Sequence, residues 1–409
     1  MKKGNRLTVQ IIIALIAGIA LGFVLNRNVA PDRIPDMTGP FALLPDVFLR
    51  LIKMIVAPLV FFTLVVGVAK LGDIRSVGRI GGKTLLWFLS ASLLSLLLGM
   101  LLVNLFQPGS AMHLPLPPAG ENTGIAKTAL GLREFLYHVF PTSVVDSMAR
   151  NEILQIVVFA LFFGVATAAT GAAGHGVIKT FDAIAHIILT MTGYVMAFAP
   201  LAVFGAMTAI VAREGPGILR TYSLFISEFY LGLLILWVLL LLAGAAFAGK
   251  RIFGLIKRLR EPVLLAFTTS SSEAAFPKTM VELERFGCRD RIVSFVLPLG
   301  YSFNLDGSMM YMTFAALFIA QSYGIHLNTA TQLTMLLVLM LTSKGIAGVP
   351  RASLVVIAGT LSTFNIPEAG LALLLGIDPL LDMGRSATNV VGNSVATVVV
   401  SKWENALEN

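Results

Sequence analysis

The chain has 409 residues, 56% hydrophobic and only 13% charged, where a soluble domain carries about 25% charged. With a mean hydropathy of +0.85, it has too few charges to coat a soluble globule and reads as a polytopic membrane protein. A single cysteine, Cys288, excludes a disulfide framework and a cysteine-built metal site, and the five scattered histidines form no His-x-x-x-His pair of the zinc-hydrolase kind. The net charge of +8 fits basic cytoplasmic loops. No basic run is interleaved with aromatics, as a nucleic-acid surface requires.

The chain opens Met1-Lys2-Lys3-Gly4-Asn5-Arg6 and then runs apolar over 9–25. That run is long for a signal peptide, and the rest of the chain is apolar too, so it reads as a first span with its N-terminus inside. Further apolar runs cover 41–70, 84–106, 153–171, 178–212 and 221–249. About 20 residues suffice to cross a bilayer. Two loops are basic: Lys70, Arg75, Arg79 and Lys83, then Lys250, Arg251, Lys257, Arg258 and Arg260. An inside start places both on the cytoplasmic side. Segment 107–150, rich in Pro, Gly and His, reads as an exposed or partly embedded excursion.

After Pro262 the pattern breaks. Residues 263–285 hold Thr268-Thr269-Ser270-Ser271-Ser272-Glu273 and Pro277 between apolar stretches. Residues 331–363 repeat the form around Thr342-Ser343-Lys344-Gly345-Ile346-Ala347-Gly348-Val349-Pro350. Each half has about 10–14 residues, too short to span. Both read as helical hairpins that enter the membrane and return; two kinked spans are the other reading. Irregular backbone at membrane depth has to be buried in protein or line a watery cavity, and such broken helices hold substrate and ions in secondary transporters.

Two further spans carry ionisable groups. Residues 290–322 contain Ser302, Asn304, Asp306 and Ser308; residues 370–402 contain Asp378, Asp382, Arg385, Ser386, Asn389 and Asn393. Asp378, Asp382, Arg385, Asn389 and Asn393 recur at helical spacing, which predicts one polar stripe facing a cavity or a polar partner. A structural Asp382–Arg385 pair is the plainer alternative.

Ser270-Ser271-Ser272, Asn304-Leu305-Asp306-Gly307-Ser308, Gly345-Ile346-Ala347-Gly348-Val349-Pro350 and Asp382-Met383-Gly384-Arg385-Ser386-Ala387-Thr388-Asn389-Val390 occur in that order. The chain thereby resembles the glutamate transporter family, the dicarboxylate/amino acid:cation symporters, most strongly over 261–402. The resemblance implies an all-α fold of eight transmembrane helices plus two re-entrant hairpins, assembled as a homotrimer in the lipid of a cell inner membrane, with both termini cytoplasmic. It implies a scaffold (1–74 and 108–215) and an elevator-like transport domain (75–107 and 216–409). No cofactor and no enzyme activity are implied.

Residue by residue, the resemblance makes Arg385 the ligand of a side-chain carboxylate, helped by Ser308. Asp382 would hold the substrate's amino group. Ser386 and Asn389 would meet its main-chain groups. Ser271, Ser272, Gly348 and Val349 would close over it as hairpin tips. Charge chemistry agrees, since a guanidinium holds a carboxylate bidentately. A buried Asp382 would repel the second carboxylate of a plain dicarboxylate. The expected substrate is therefore glutamate or aspartate, with a C4-dicarboxylate as the rival.

For the coupling ion the same pattern brings departures. Asn304 and Asp306 retain part of a sodium site, but Phe88 and Ala91 stand where the sodium pattern has Tyr and Thr, and Ser92 remains. Asn393 replaces an Asp, and Lys344 places a cation where the second hairpin would meet sodium. Proton coupling is thus expected ahead of sodium, with Glu273, Asp306 and Asp378 as carriers and Ser302 and Asn393 beside them; Glu273 paired with a nearby base is the other reading. A compensating arginine of the family is replaced by Thr269 and Met383, and Arg351 is the candidate substitute. A channel lacks the rings of like groups that a pore needs. A serine hydrolase lacks a base near Ser271 or Ser272.

Overall fold

The structure, a computed structural model, describes residues 2–71, 74–111, 116, 137, 139–343 and 352–408. The described residues are almost wholly helical, with one isolated bridge between Cys288 and Leu407. The first half holds α1 (Lys2–Asn28), α2 (Ile34–Leu71), α3 (Ile74–Phe106), α4 (Ile153–Ala169), α5 (His175–Met196), α6 (Ala199–Thr221) and α7 (Ser223–Ala248). Among the described residues four helices are long and apolar enough to cross a membrane, or five if the bent pair α5–α6 counts as one span. That pair corresponds to the single run expected over 178–212. It bends by 48°, because Pro200 has no N–H to continue the ladder and Ala197 and Phe198 turn back onto Tyr194 and Val195.

The second half is built of shorter pieces. Helices α8 (Phe253–Thr269) and α9 (Ser272–Phe286) form an antiparallel pair joined at Ser270 and Ser271. Ser270 takes the left-handed conformation (φ 50°), and Ser271 caps α9 by accepting from the Ala274 N–H at 3.2 Å. This first hairpin begins ten residues before the expected 263, and its arms have 17 and 15 residues. Its charged base stays helical because Lys278 bridges Glu261 at 3.2 Å and Glu282 at 3.6 Å. Pro277 sits inside α9.

Helices α10 (Asp290–Phe303) and α11 (Asp306–Ser322) are separated by unwound backbone at Asn304 and Leu305. Helices α12 (Thr329–Thr342) and α13 (Ala352–Thr363) touch one another. The segment that joins them, with Lys344, Gly348, Val349 and Arg351, lies outside the described residues. So does most of the 107–150 excursion. The last helix is α14 (Asp378–Trp403).

Packing sets the order of the layers. Every residue of α14 from Met383 to Ser401 is buried, as is every residue of α11 from Asp306 to Ala320. These two form the interior, and α3, α7, α8 and α10 wrap them. A second group, α1, α2, α4, α5 and α6, packs mainly on itself. Small residues permit its close crossings: a Cβ added at Gly18 would lie 2.7 Å from the Phe204 carbonyl, and one at Gly205 2.3 Å from that of Phe41. The groups meet where α10 crosses α2, with Ser294 Oγ only 2.3 Å from the place of a Cβ on Gly67.

Beyond the end of α14, Glu404 ties the start of α3 to the inner helix. It accepts from Lys83 at 2.6 Å and Arg79 at 2.9 Å, while Lys83 also donates to the Trp403 carbonyl at 3.0 Å. Burial works against the charged carboxylate, but the hydrogen bonds from Arg79 and Lys83 prevail and hold Glu404 below the usual carboxylate range. A group depressed in this way stabilises the fold at neutral pH and loses that effect as pH falls through its lowered value. Glu404→Gln should therefore lower stability by about 1–2 kcal/mol near neutrality. Melting of the detergent-solubilised protein should show the gap to wild type closing in acid.

Candidate functional site

The polar stripe of α14 faces α11. At its start Arg385 is 2% exposed, and its Nη2 lies 3.1 Å from Asp378 Oδ1 and 2.9 Å from Asp382 Oδ1. Arg385 Nε adds a 3.2 Å bond to the same Asp382 oxygen. The guanidinium lies 4.0 Å over the ring of Tyr311, whose hydroxyl donates to Asp378 Oδ1 at 3.1 Å. Two carboxylates and an aromatic face thus offset the burial of one cation. One donor group is left over: Arg385 Nη1 is buried without a hydrogen-bond partner. Asp382 is the open end of the triad at 35% exposure, and both its contacts with Arg385 use Oδ1. The plain Asp382–Arg385 pair is thus present, but with Asp378 and Tyr311 built around it.

One turn on, Asn389 joins the two helices. Its Oδ1 accepts from the Gly307 N–H at 2.9 Å and the Ser308 N–H at 3.4 Å, and its Nδ2 donates to Ser308 Oγ at 3.3 Å. The first N–H groups of a helix have no partner within it. Asn389 takes up two of them at the start of α11, so the unwound backbone is held in place by a side chain of the stripe. Gly307 allows the approach, since its added Cβ would fall 2.5 Å from the Arg385 carbonyl.

A further turn on lies a second cluster. Asn304 Nδ2 donates to Asp306 Oδ2 at 2.9 Å and to Asn393 Oδ1 at 3.2 Å, and Ser95 of α3 donates to Asp306 Oδ1 at 3.3 Å. Asn304 Oδ1, Asn393 Nδ2 and Ser302 Oγ are buried with no partner. Phe88 and Ala91 of α3 are buried and bring no side-chain oxygen, while Ser92 donates to the Phe303 carbonyl at 3.5 Å. Among the described residues no group of three His, Cys, Asp or Glu could hold a metal.

The candidates from sequence therefore fall into separate places. Asp378, Asp382, Arg385, Ser386, Asn389 and Ser308 occupy one end of the stripe; Ser302, Asn304, Asp306 and Asn393 the other. The tip of the first hairpin reaches the same end as Arg385, with Ser270 Oγ 3.4 Å from the Pro379 carbonyl. Ser272 is buried beside Ser271. Glu273 belongs to neither cluster. It lines a small cavity with Val56, Val60, Ile153, Phe276, Pro298 and Tyr301, facing α2. Gly348 and Val349 lie outside the described residues. Tyr311 and Ser95 were missed. Tyr311 sits in an apolar run where an aromatic reads as core; Ser95 lies one turn from Ala91, which was the available clue.

The family model described as Sodium:dicarboxylate symporter family matches residues 7–403. The chain is similar to a C4-dicarboxylate transport protein of Laribacter hongkongensis, 42% identical over 407 residues, 98% of this chain and 90% of the relative. It is similar to a proton/sodium-glutamate symport protein of Bacillus caldotenax, 40% identical over 403 residues, 97% of this chain and 94% of the relative. A C4-dicarboxylate transport protein of Bacillus subtilis is 36% identical over 412 residues, covering 100% of this chain and 96% of the relative.

The joint between α11 and α14 has no room to spare: a Cβ added at Gly392 would lie 1.9 Å from Asp306 Oδ2. Gly392→Ala should displace Asp306 and cost about 1–3 kcal/mol by overpacking. A lowered melting temperature of the purified protein together with lost transport is the expected outcome.

Proposed function

The chain belongs to the sodium:dicarboxylate symporter family, and we propose that within it this protein imports glutamate or aspartate together with protons. The observation that carries the substrate reading is the Arg385 triad. Two carboxylates face one guanidinium, so the formal charge of the triad is negative. A plain dicarboxylate would add like charge to it. An acidic amino acid brings a carboxylate for the unpartnered Arg385 Nη1 and an ammonium for Asp382 Oδ2. Ser386 and Asn389 then lie beside the main-chain groups. Ser271 and Ser272 supply the near hairpin tip.

The second cluster supports the ion reading. A hard cation asks for several oxygen ligands. Here Phe88 and Ala91 give none, and Asn393 supplies an amide instead of a carboxylate. A proton needs only one carboxyl with hydrogen-bonding neighbours, which Asp306 has in Asn304 and Ser95. Asp306 is therefore our carrier. Asp378 is taken up by Arg385 and Tyr311.

The division into two helix groups supports an elevator arrangement; eight spans and two hairpins, a homotrimer, a cell inner membrane and cytoplasmic termini belong to the same proposal and come from the family resemblance. The interior group with both clusters moves, and the group of α1, α2 and α4–α6 stands still. Each group packs mainly on itself, and the two meet where α9 and α10 lie against α2 and α4 and where α7 and α8 lie against α6. C4-dicarboxylate transport is the second reading, favoured by the names of several relatives; sodium coupling is the alternative for the ion.

Proteoliposomes with labelled aspartate, glutamate or succinate, under a proton gradient or a sodium gradient alone, separate these readings. Proton-driven amino-acid uptake is expected. Arg385→Gln should strand Asp378 and Asp382 and abolish uptake, a loss of roughly two to three orders of magnitude. Asp382→Ser should lower amino-acid uptake by about tenfold or more while sparing succinate binding. Succinate uptake by the wild type, with no amino-acid transport, would overturn the substrate assignment. A strict need for sodium would overturn the ion assignment.

A further inference from the structure

Helix α7 carries an outward apolar stripe of Leu231, Leu234, Val238 and Leu242, each between 46% and 60% exposed. In a membrane chain such a stripe faces hydrocarbon. The 26 residues of α7 measure about 39 Å, longer than the roughly 30 Å core of a bilayer. Its end therefore reaches the level of the lipid headgroups. There the chain turns at Gly249, whose backbone (φ 69°, ψ −167°) suits glycine alone. One tight turn, Gly249–Ile252, leads on into α8.

From this corner onward two faces separate at helical spacing. Ile252, Leu255 and Leu259 are fully buried. Lys250, Phe253 and Lys257 point the other way and are exposed, with exposed Arg258 beside them. The outer face thus joins three cations to a phenylalanine that is 50% exposed. Arg251 is occupied elsewhere, donating to the Phe286 carbonyl at 2.6 Å and to the Glu408 carbonyl. Carboxylates at this end already have cations: Glu261 has Lys278, Glu282 has Lys278 and Arg285, and Glu404 has Arg79 and Lys83. Among the described residues no ion pair reaches Lys250, Lys257 or Arg258. In the last turn of α7, Phe247 packs on Trp87 and Trp403 with ring centres 6.0 and 5.1 Å away. Tryptophan favours the boundary between hydrocarbon and water, so these rings mark the same level.

We propose that Lys250, Phe253, Lys257 and Arg258 form a docking surface for anionic lipid headgroups, in the leaflet that the proposed topology makes cytoplasmic. Cations without carboxylates suit a phosphate group, and the long stems of Lys and Arg let the charge reach it from the interface. The exposed ring among them decides the source of that phosphate. A soluble anion gains nothing from Phe253, whereas a lipid offers acyl carbons to the ring and to the apolar stripe of α7 that runs down to the corner. The same stripe argues against an acidic protein segment, which would meet the cations but not hydrocarbon. Because α8 is one arm of the first hairpin, a bound lipid tethers the base of that hairpin at headgroup level. The surface lies apart from both polar clusters, and it needs neither the substrate nor the ion assignment to be right.

Energy transfer from tryptophan to lipids labelled with pyrene on the acyl chain tests the proposal on the full-length protein, since Trp87 and Trp403 stand close to the corner. In phosphatidylcholine vesicles, transfer to a trace of labelled phosphatidylglycerol should exceed transfer to equally labelled phosphatidylcholine. Unlabelled phosphatidylglycerol should compete for it, and added salt should weaken it. Lys250→Gln/Lys257→Gln/Arg258→Gln should weaken the preference by about a hundredfold, at roughly fivefold per cation. Phe253→Ser should weaken it by about fivefold. Lys250→Arg/Lys257→Arg/Arg258→Lys keeps the charges and should behave as wild type, which separates lost charge from lost folding. Equal transfer to both lipids by the wild type overturns the proposal. So does a preference that the triple glutamine variant retains in full. Competition by inorganic phosphate or by an acidic peptide as strong as that of phosphatidylglycerol would assign the surface to a soluble anion or to a protein, and the lipid assignment would fall.

Discussion

A guanidinium sealed inside an apolar helix bundle is the constraint to which the rest of this structure answers. Arg385 is 2% exposed, and such a charge persists only if paired and hydrogen-bonded. Asp378 and Asp382 therefore share its side, Tyr311 lies under its face, and the Tyr311 hydroxyl turns to Asp378. Each partner in turn fixes an element. Asp378 begins α14, Tyr311 sets the register of α11, and Tyr230 of α7 donates to the Leu380 carbonyl at 2.5 Å to hold the intervening turn. The polar interior is thus a network that orders three helices around one charge.

Much of this was legible in the sequence, for a geometric reason. Helical periodicity turns a spacing of four, three, four and four residues into a single stripe, so Asp378 to Asn393 could be placed together without any coordinates. The helical pair around Ser270 and Ser271 was legible because a Ser cluster interrupts an apolar run where backbone must find partners. The ends of that pair were not. Its base is charged, and Lys278 with Glu261 and Glu282 reads as a loop until their pairing is seen. Pro277 reads as a breaker, although six residues into a helix it costs one hydrogen bond and a kink. The bend at Ala197 was hidden inside a continuous apolar run.

Groups that act across helices were the least legible. Ser95 is an ordinary serine of an apolar helix, able to satisfy itself on the Ala91 carbonyl at 2.8 Å; only the fold brings Asp306 within reach. Glu273 was read as part of the hairpin tip from its place beside Ser272. One residue along a helix is about 100° of rotation, and that rotation turns it from the stripe of α14 to the face of α2. Adjacent positions in sequence thereby serve different parts of the machine.

The two polar clusters are close enough to act on each other through few atoms. Asn389 lies between them on α14, one turn from Arg385 and one from Asn393, and its carboxamide holds the Gly307 and Ser308 N–H groups. Those N–H groups open α11 immediately after Asp306. On the proposed assignments, a ligand drawing on Asn389 or Ser308 would pull on the same turn that positions the Asp306 carboxyl. A proton on Asp306 would change what that carboxyl asks of Asn304 and Ser95, and so the pitch of the same turn. Since Gly392 leaves no free space against Asp306 Oδ2, the turn could not absorb the change locally. Symport needs such a joint, in which substrate and ion are each bound best when the other is present, and under the proposed function it would be built from one carboxamide, two backbone N–H groups and a glycine.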